Sequence, residues 1–216
     1  YANIEGRLKK RDLEGISDLD LDAEKMQIIG STEGNILSAE KYLSIIDNIV
    51  HTEPGSLAVV DSFSALSSES ELTGDLADVQ VMSVQKVLAK FCRRISNALP
   101  INRVTVVGVT HLMANVQRFG RGKAKIEKSG SALKYQVDVK LHATHAVPLM
   151  QGDSQIGQTI HWQIVTSAIG PPGQKVESHI RYGKGIWKEM ELADLMIDFG
   201  LVAKAGAWLK LPNDQK

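Results

Sequence analysis

Three side chains with oxygen donors follow an apolar run in the first third of the chain. Leu57-Ala58-Val59-Val60 is followed by Asp61 and Ser62, with Ser64 two residues on. A continuous apolar run bounded by polar residues predicts a strand buried on both faces of a parallel sheet. Ligands of open α/β sheets bind at the carboxyl ends of the strands, where an Asp commonly holds Mg²⁺ in nucleotidases. An Asp that simply caps the next turn is an equally good interpretation of these residues alone.

A histidine follows the next predicted strand. Residues 104–109 form a second short apolar run, which ends in Thr110 and His111. Because neighbouring parallel strands end at the same edge of a sheet, His111 is expected beside Asp61 over one crevice. The alternative is a structural histidine, since a lone histidine is more often structural than catalytic and no second metal ligand stands at a suitable spacing.

Positive charge is concentrated in residues 112–130, called here the basic segment. Glu127 is the one acidic residue among its cations, and three glycines interrupt any regular helix or strand. The segment is therefore predicted to be a long mobile loop, either solvated or suited to a polyphosphate backbone with Phe119 as a stacking ring. Because the whole chain is neutral, this local excess favours nucleic acid. The basic residues are Arg118, Arg121, Lys123, Lys125 and Lys128.

The elements that position these residues alternate between helices and strands. Helices are predicted for 32–50, behind a Ser-Thr capping signal, for 79–99, and for 190–199, ended by Gly200. In the second helix Cys92 falls on the buried stripe, and a solvated basic face carries Lys86, Lys90, Arg93 and Arg94. Further strands are predicted for 137–141, 159–165 and 176–181, with turns at 148–157 and 170–173.

Composition limits the class of protein. The 216 residues include 25 Lys plus Arg and 25 Asp plus Glu, so no overall charge favours nucleic acid or membrane. One cysteine cannot form an intrachain disulfide, and no long apolar run is present, which favours a cytoplasmic protein with no membrane partner. One domain, residues 1–216, is the expected organisation. The apolar start at Tyr1 reads as a strand entered midway, so we expect the chain to be a piece.

Five blocks in order resemble the RecA-type recombinases. They are Val59–Leu66, Glu71–Leu76, Gly130–Tyr135, Tyr182–Ile186 and Lys204–Trp208. The resemblance covers essentially the whole chain, and Thr110–His111 is similar to the phage UvsX members. It implies an α/β fold of the RecA-like P-loop nucleotidase core, with a mostly parallel central sheet flanked by helices and an antiparallel extension. The amino-terminal part of that core is expected to be missing here.

The resemblance implies roles for individual residues. Glu5 matches the strand-end glutamate that polarises the attacking water, Asp61 the carboxylate that holds Mg²⁺, and His111 the switch residue that senses the γ-phosphate of ATP. Ser62, Tyr182 and Gly183 match nucleotide-binding positions. Gly74, in the stretch 71–81, matches the first DNA-binding loop. The second corresponds to residues 112–129, with Arg118, Phe119, Arg121, Lys123, Lys125 and Lys128.

The implied function is ATP-dependent recombination. A member of this family binds single-stranded and double-stranded DNA, assembles as a homo-oligomer or filament, and promotes homologous pairing and strand exchange. The chain departs from the family pattern because no G-x-x-x-x-G-K-[ST] is present, Thr166 and Ala168 stand where lysines are expected, and Asp12 replaces an aromatic residue. The alternative is a DNA-binding or regulatory paralogue that hydrolyses ATP weakly or not at all.

Overall fold

The computed structural model describes residues 1–14, 16, 19–75, 83–114, 125–127, 131–206 and 208–210. Helices are α1 (Lys10–Leu13), α2 (Ala39–Thr52), α3 (Glu69–Thr73), α4 (Ser83–Ile95), α5 (Ala98–Asn102), α6 (Ser131–Gln136) and α7 (Lys188–Asp198). Strands are β1 (Ala2–Asn3), β2 (Leu57–Asp61), β3 (Thr105–Gly108), β4 (Leu112–Ala114), β5 (Lys125–Glu127), β6 (Val139–Gln151), β7 (Ser154–Ser167), β8 (Lys175–Arg181), β9 (Gly185–Ile186), β10 (Ala203–Ala205) and β11 (Trp208–Lys210).

These elements fall into two compact units. The first unit comprises Tyr1–Lys9 and Asp20–Val137, and the second comprises Lys10–Leu19 and Asp138–Lys216. The expectation of a single domain over residues 1–216 stays a prediction, because one domain can contain more than one compact unit.

The first unit is built on a parallel sheet in the order β1-β2-β3. Helices α2 and α4 supply most of the core beside it, and Cys92 is buried on α4 as the helical stripe predicts. The core residues are Tyr42, Leu43, Ile46 and Val50 from α2, Ala58 and Val60 from β2, and Leu88, Phe91, Cys92 and Ile95 from α4. The predicted α/β fold with a parallel sheet flanked by helices is confirmed.

Strand β2 is buried on one face, so the prediction of burial on both faces is wrong. Ala58 and Val60 lie in the core, whereas Leu57 is 61% exposed on the opposite face. Val59 of β2 pairs with Val107 of β3, so Val107 and Val109 lie on the same face as Leu57. Both valines are exposed. In the described part of the chain, helices cover only the face that carries Ala58 and Val60.

Two helix boundaries differ from the sequence prediction. Helix α2 begins at Ala39, where the Ser38 hydroxyl accepts a hydrogen bond from the Lys41 backbone N–H, and not at Thr32. The predicted helix 79–99 ends at Ile95. A separate short helix α5 follows, and Arg103 closes it with a left-handed backbone conformation (φ 53°).

The basic face of α4 is exposed as predicted, and one of its residues also contacts a neighbouring helix. Lys86, Lys90, Arg93 and Arg94 are all exposed. Arg94 contacts Asp47 of α2 through two nitrogens, with Nη2 2.7 Å and Nε 3.1 Å from Oδ2. The Asp47 carboxylate raises the pKa of Arg94. The pair therefore links α2 to α4, which the spacing along one helix could not indicate.

The second unit contains an antiparallel sheet in the order β6-β7-β8-β9. The predicted turn 148–157 is wrong, since β6 and β7 continue through most of it and turn only at Gly152 (φ 60°) and Asp153. Pro148 pairs with Gln158 inside this hairpin. Strand β6 is at the edge of the sheet, where a residue without a backbone N–H is tolerated.

Candidate active site

The carboxyl ends of β1 and β2 bring two acidic residues together. Asn3 is in register with Asp61, and the backbone N–H groups of Ile4 and Glu5 both donate to the Asp61 carbonyl oxygen, at 2.9 and 3.2 Å. The peptide bond between Asp61 and Ser62 is cis. The two backbone hydrogen bonds to the Asp61 carbonyl oxygen hold Glu5 beside the end of the strand that carries Asp61.

The Glu5 carboxylate is the centre of the site. Its Oε1 accepts a hydrogen bond from the Ser62 hydroxyl at 2.8 Å and lies 3.1 Å from Nε2 of His111. The Glu5 side chain is only 13% exposed, whereas His111 is half exposed. Ser62 and His111 therefore contact the same oxygen atom of Glu5. All three residues were singled out in the sequence, and they lie on three different segments of the chain.

Asp61 has a partner that sequence reasoning missed. The Tyr1 hydroxyl donates a hydrogen bond to Asp61 Oδ2 at 2.5 Å. Burial raises the pKa of Tyr1, and the hydrogen bond to Asp61 and the negative charges of Asp61 and Glu5 raise it further. Tyr1 therefore remains a neutral donor that orients Asp61. The sequence signal that could have indicated this contact is a tyrosine directly before strand β1.

The segment after Asp61 is fastened to the end of β3. The backbone N–H of Phe63 donates to the Val109 carbonyl oxygen at 3.0 Å, and the backbone N–H of His111 donates to the Ser64 hydroxyl at 2.8 Å. A Cβ atom on Gly108 would lie 2.1 Å from Cε2 of Phe63. Gly108 leaves the space in which the Phe63 ring packs, and Ser64 fixes the backbone of His111.

A second missed residue is Arg7, whose Nε lies 3.5 Å from Oε2 of Glu5. Gly6 carries a left-handed backbone (φ 67°), and its N–H donates to the Asn3 carbonyl oxygen. A glycine directly after a strand-end glutamate is the sequence signal for such a turn. After this turn the guanidinium group of Arg7 lies beside Glu5, which brings a cation to the site.

Tyr182 and Gly183 lie in the second compact unit, at the turn from β8 to β9. The Tyr182 hydroxyl accepts a hydrogen bond from Nε2 of Gln155 at 2.8 Å, and its side chain is exposed. Gly183 has a positive φ of 72°, as the turn requires. Their contact with nucleotide stays a prediction.

The DNA-binding candidates lie mostly outside the described residues. Two of them are described: Gly74 ends α3, and Lys125 lies in β5. The candidates that lie outside the described residues are Arg118, Phe119, Arg121, Lys123 and Lys128. The prediction that no strand forms in the basic segment is wrong at its ends, where Ala114 of β4 pairs with Lys125 of β5.

The described side chains contain no group of three or more His, Cys, Asp or Glu residues arranged to hold a metal ion. Among the helices of the described chain, none is both long and apolar enough to cross a membrane.

Fold and site together define an α/β protein with an acidic site at the carboxyl edge of a parallel sheet. The sequence pattern of the RecA N-terminal domain matches residues 13–187. The chain belongs to this family, and the resemblance proposed from its motifs is confirmed.

Curated relatives agree with the family assignment. The chain is 30% identical to protein RecA of Sulfurimonas denitrificans over 169 residues, which cover 78% of this chain and 49% of the relative. It is 29% identical to protein RecA of Helicobacter hepaticus over 179 residues, covering 83% and 52%. For protein RecA of Cereibacter sphaeroides the identity is 30% over 178 residues, covering 82% and 52%. The chain thus spans about half the length of these relatives.

Proposed function

We propose that this chain carries part of the ATP-hydrolysing site and a DNA-binding segment of a RecA-type recombinase. The complete gene product would bind single-stranded and double-stranded DNA, assemble as a filament, and promote homologous pairing and strand exchange. The observation that carries this proposal is the convergence of Ser62 and His111 on one oxygen of Glu5, beside Asp61.

The geometry supports a hydrolytic role for Glu5. Its second oxygen, Oε2, is not used by Ser62 or His111. Glu5 would accept the proton of the attacking water while the water oxygen bonds to the γ-phosphorus and the bond to the β-phosphate oxygen breaks, leaving ADP and phosphate. Asp61 would hold Mg²⁺, since carboxylate oxygens are the ligands that this ion prefers. Mg²⁺, when bound, neutralises negative charge on the phosphates.

His111 is suited to connect hydrolysis with DNA. It lies 3.1 Å from Glu5 Oε1, and the next residue, Leu112, begins β4 and the basic segment. Strands β4 and β5 pair, and Arg118, Arg121 and Lys123 fall between them in sequence. A displacement of Glu5 or His111 on binding the γ-phosphate would therefore be passed directly to the start of the DNA-binding segment.

The first test is ATP hydrolysis by the complete gene product, with and without single-stranded DNA. Asp61→Asn should lower DNA-stimulated turnover by roughly a hundredfold or more, because charge on the phosphates is no longer neutralised. Asp153→Asn, at the β6–β7 turn in the other unit, is the matched control and should retain turnover. Undiminished turnover in Asp61→Asn would contradict the proposal. The chain by itself should hydrolyse no ATP, because it contains no G-x-x-x-x-G-K-[ST].

The second test concerns the basic segment. Replacing Arg118, Arg121 and Lys123 together by Ala should weaken binding to single strands of any sequence. Each lost phosphate contact should also reduce the slope of log K against log salt by about 0.7. The control replaces the exposed Lys86, Lys90 and Arg93 of α4 by Ala. If the control variant lost more affinity than the segment variant, the segment would not be the main DNA contact.

A second candidate function is a DNA-binding paralogue with weak or no hydrolysis. Thr166 and Ala168, at the end of β7, provide no cation where the family resemblance implies lysines. Wild-type protein that binds DNA and ATP but releases no phosphate would favour this candidate.

A further inference from the structure

We propose that Arg7 is a phosphate-binding residue of this site, which pairs with Glu5 before nucleotide binds and moves to the terminal phosphate of a bound nucleoside triphosphate. The inference rests on the proposed function. It assigns a phosphate-binding cation to the same chain that carries Glu5.

The two oxygens of Glu5 have different partners. Oε1 accepts from the Ser62 hydroxyl and lies beside Nε2 of His111, while Oε2 lies 3.5 Å from Nε of Arg7. Ser62 and His111 therefore keep the carboxylate oriented without Arg7. Arg7 faces the one oxygen that a water molecule would need.

Local backbone geometry directs Arg7 to this position. The positive φ of Gly6 turns the chain immediately after Glu5. The Asn3 side chain then holds residue 8 from both sides, with Nδ2 donating to the Leu8 carbonyl oxygen at 3.2 Å and Oδ1 accepting from the Leu8 N–H at 3.4 Å. Arg7 lies between these two fixed points, so its backbone is anchored while its side chain stays free to reorient.

The exposure of Arg7 allows it to change partners. Its side chain is 86% exposed, whereas that of Glu5 is 13% exposed. A single contact at 3.5 Å through Nε is a weak ion pair, and exposed pairs of this kind are readily exchanged. A terminal phosphate carries more negative charge than a carboxylate and accepts two parallel hydrogen bonds from a guanidinium group.

The exchange of partners has a chemical consequence. Once Arg7 moves to the phosphate, Oε2 of Glu5 can accept the proton of the attacking water, and the guanidinium group stabilises the charge that develops on the phosphate oxygens. Glu5 would thus become a free base only when a triphosphate is bound.

The test measures equilibrium binding as well as turnover in the complete gene product. Labelled ADP and a non-hydrolysable ATP analogue are titrated against wild type, Arg7→Gln, Arg7→Lys and the control Arg11→Gln, which removes another exposed arginine. Arg7→Gln should raise the Kd of the triphosphate roughly tenfold or more and leave that of ADP within about twofold. Turnover should fall on the order of a thousandfold. Arg7→Lys should lie between Arg7→Gln and wild type, and Arg11→Gln should match wild type.

A double variant separates phosphate binding from an effect on Glu5 alone. In a Glu5→Gln background, Arg7→Gln should still weaken triphosphate binding by the same factor, because the lost contact is to the phosphate. If the effect disappears in that background, or weakens ADP equally, Arg7 only orients Glu5 and the inference is overturned. If wild type binds neither nucleotide, the proposed function itself is overturned.

Discussion

At the scale of single residues, close polar contacts orient two carboxylates. The Ser62 hydroxyl donates to one oxygen of Glu5, and His111 lies 3.1 Å from the same oxygen. The Tyr1 hydroxyl donates to one oxygen of Asp61. Each carboxylate thereby keeps its other oxygen for a different partner. The proposed hydrolysis would need this orientation, because a displaced carboxylate would not face the attacking water.

Gly108 should be intolerant of a side chain. In Gly108→Ala the new Cβ would lie 2.1 Å from Cε2 of Phe63, so the ring or β3 must shift. Overpacking of this kind costs roughly 1–3 kcal/mol of unfolding free energy, measurable by denaturant titration. Gly170→Ala is the control, since no atom lies within 4 Å of its added Cβ and its φ is not positive. Equal stability of the two variants would show that Phe63 does not pack as described.

The Tyr1–Asp61 hydrogen bond should make stability depend on alkaline pH. The folded state raises the pKa of Tyr1 above its ordinary value of 10.0, so the contribution of the neutral hydroxyl is complete below that pH and is lost as pH rises further. The unfolding free energy of wild type should therefore fall more steeply than that of Tyr1→Phe above about pH 10. Tyr135→Phe, at an exposed tyrosine, should follow wild type. Parallel curves for wild type and Tyr1→Phe would contradict this prediction.

At the scale of elements, α7 is fastened to the antiparallel sheet through a buried histidine. His179 of β8 is 4% exposed. Its Nε2 lies 2.8 Å from Oδ2 of Asp194 on α7, and its Nδ1 lies 2.9 Å from the hydroxyl of Thr159 on β7. Its backbone N–H donates to Glu191 of α7 at 3.2 Å. One side chain thus joins two strands and a helix.

His179→Leu should loosen this unit. The substitution keeps an apolar body in the core but leaves Thr159 and Asp194 without the imidazole, at an expected cost of about 1–3 kcal/mol in unfolding free energy. Hydrogen exchange should also become faster in α7 and β8 than in β6. His142→Leu, on the same sheet at a partly exposed position, is the control. A variant as stable as wild type would mean that the buried network contributes little.

At the scale of the whole molecule, the parallel sheet of the first unit has one apolar face that the described residues leave exposed. Leu57, Val107 and Val109 share that face. Parallel sheets are normally covered on both faces, and exposed apolar surface of this kind favours association. This exposed apolar face therefore favours association of the isolated chain in solution.

The isolated chain should self-associate. Sedimentation velocity over a range of concentrations should show oligomers, and replacing Leu57 and Val107 together by Lys should shift the population towards monomer, because charge opposes burial of the face. Ile101→Lys, at an exposed apolar residue elsewhere in the first unit, should leave the distribution unchanged. A single monomeric species of wild type at all concentrations would contradict this expectation.

Local sequence patterns determined the helices and strands, and the strand ends at which Asp61 and His111 lie. The apolar runs before Asp61 and Thr110 specify strands, and the helical stripe buries Cys92, because both depend only on neighbouring residues in the chain. Parallel pairing then predicts that polar strand ends meet at one edge. The positions of Asp61 and His111 followed from these regularities.

Only the tertiary structure decided which atoms meet within the site. Tyr1 contacts Asp61, and Arg94 contacts Asp47, across separations of 60 and 47 residues. Arg7 reaches Glu5 because Gly6 turns the chain, and Leu57 is exposed because helices pack on the opposite face of β2. Strand register, backbone turns and helix packing set these contacts. They are cooperative properties of many residues, so no local pattern of residue types specifies them.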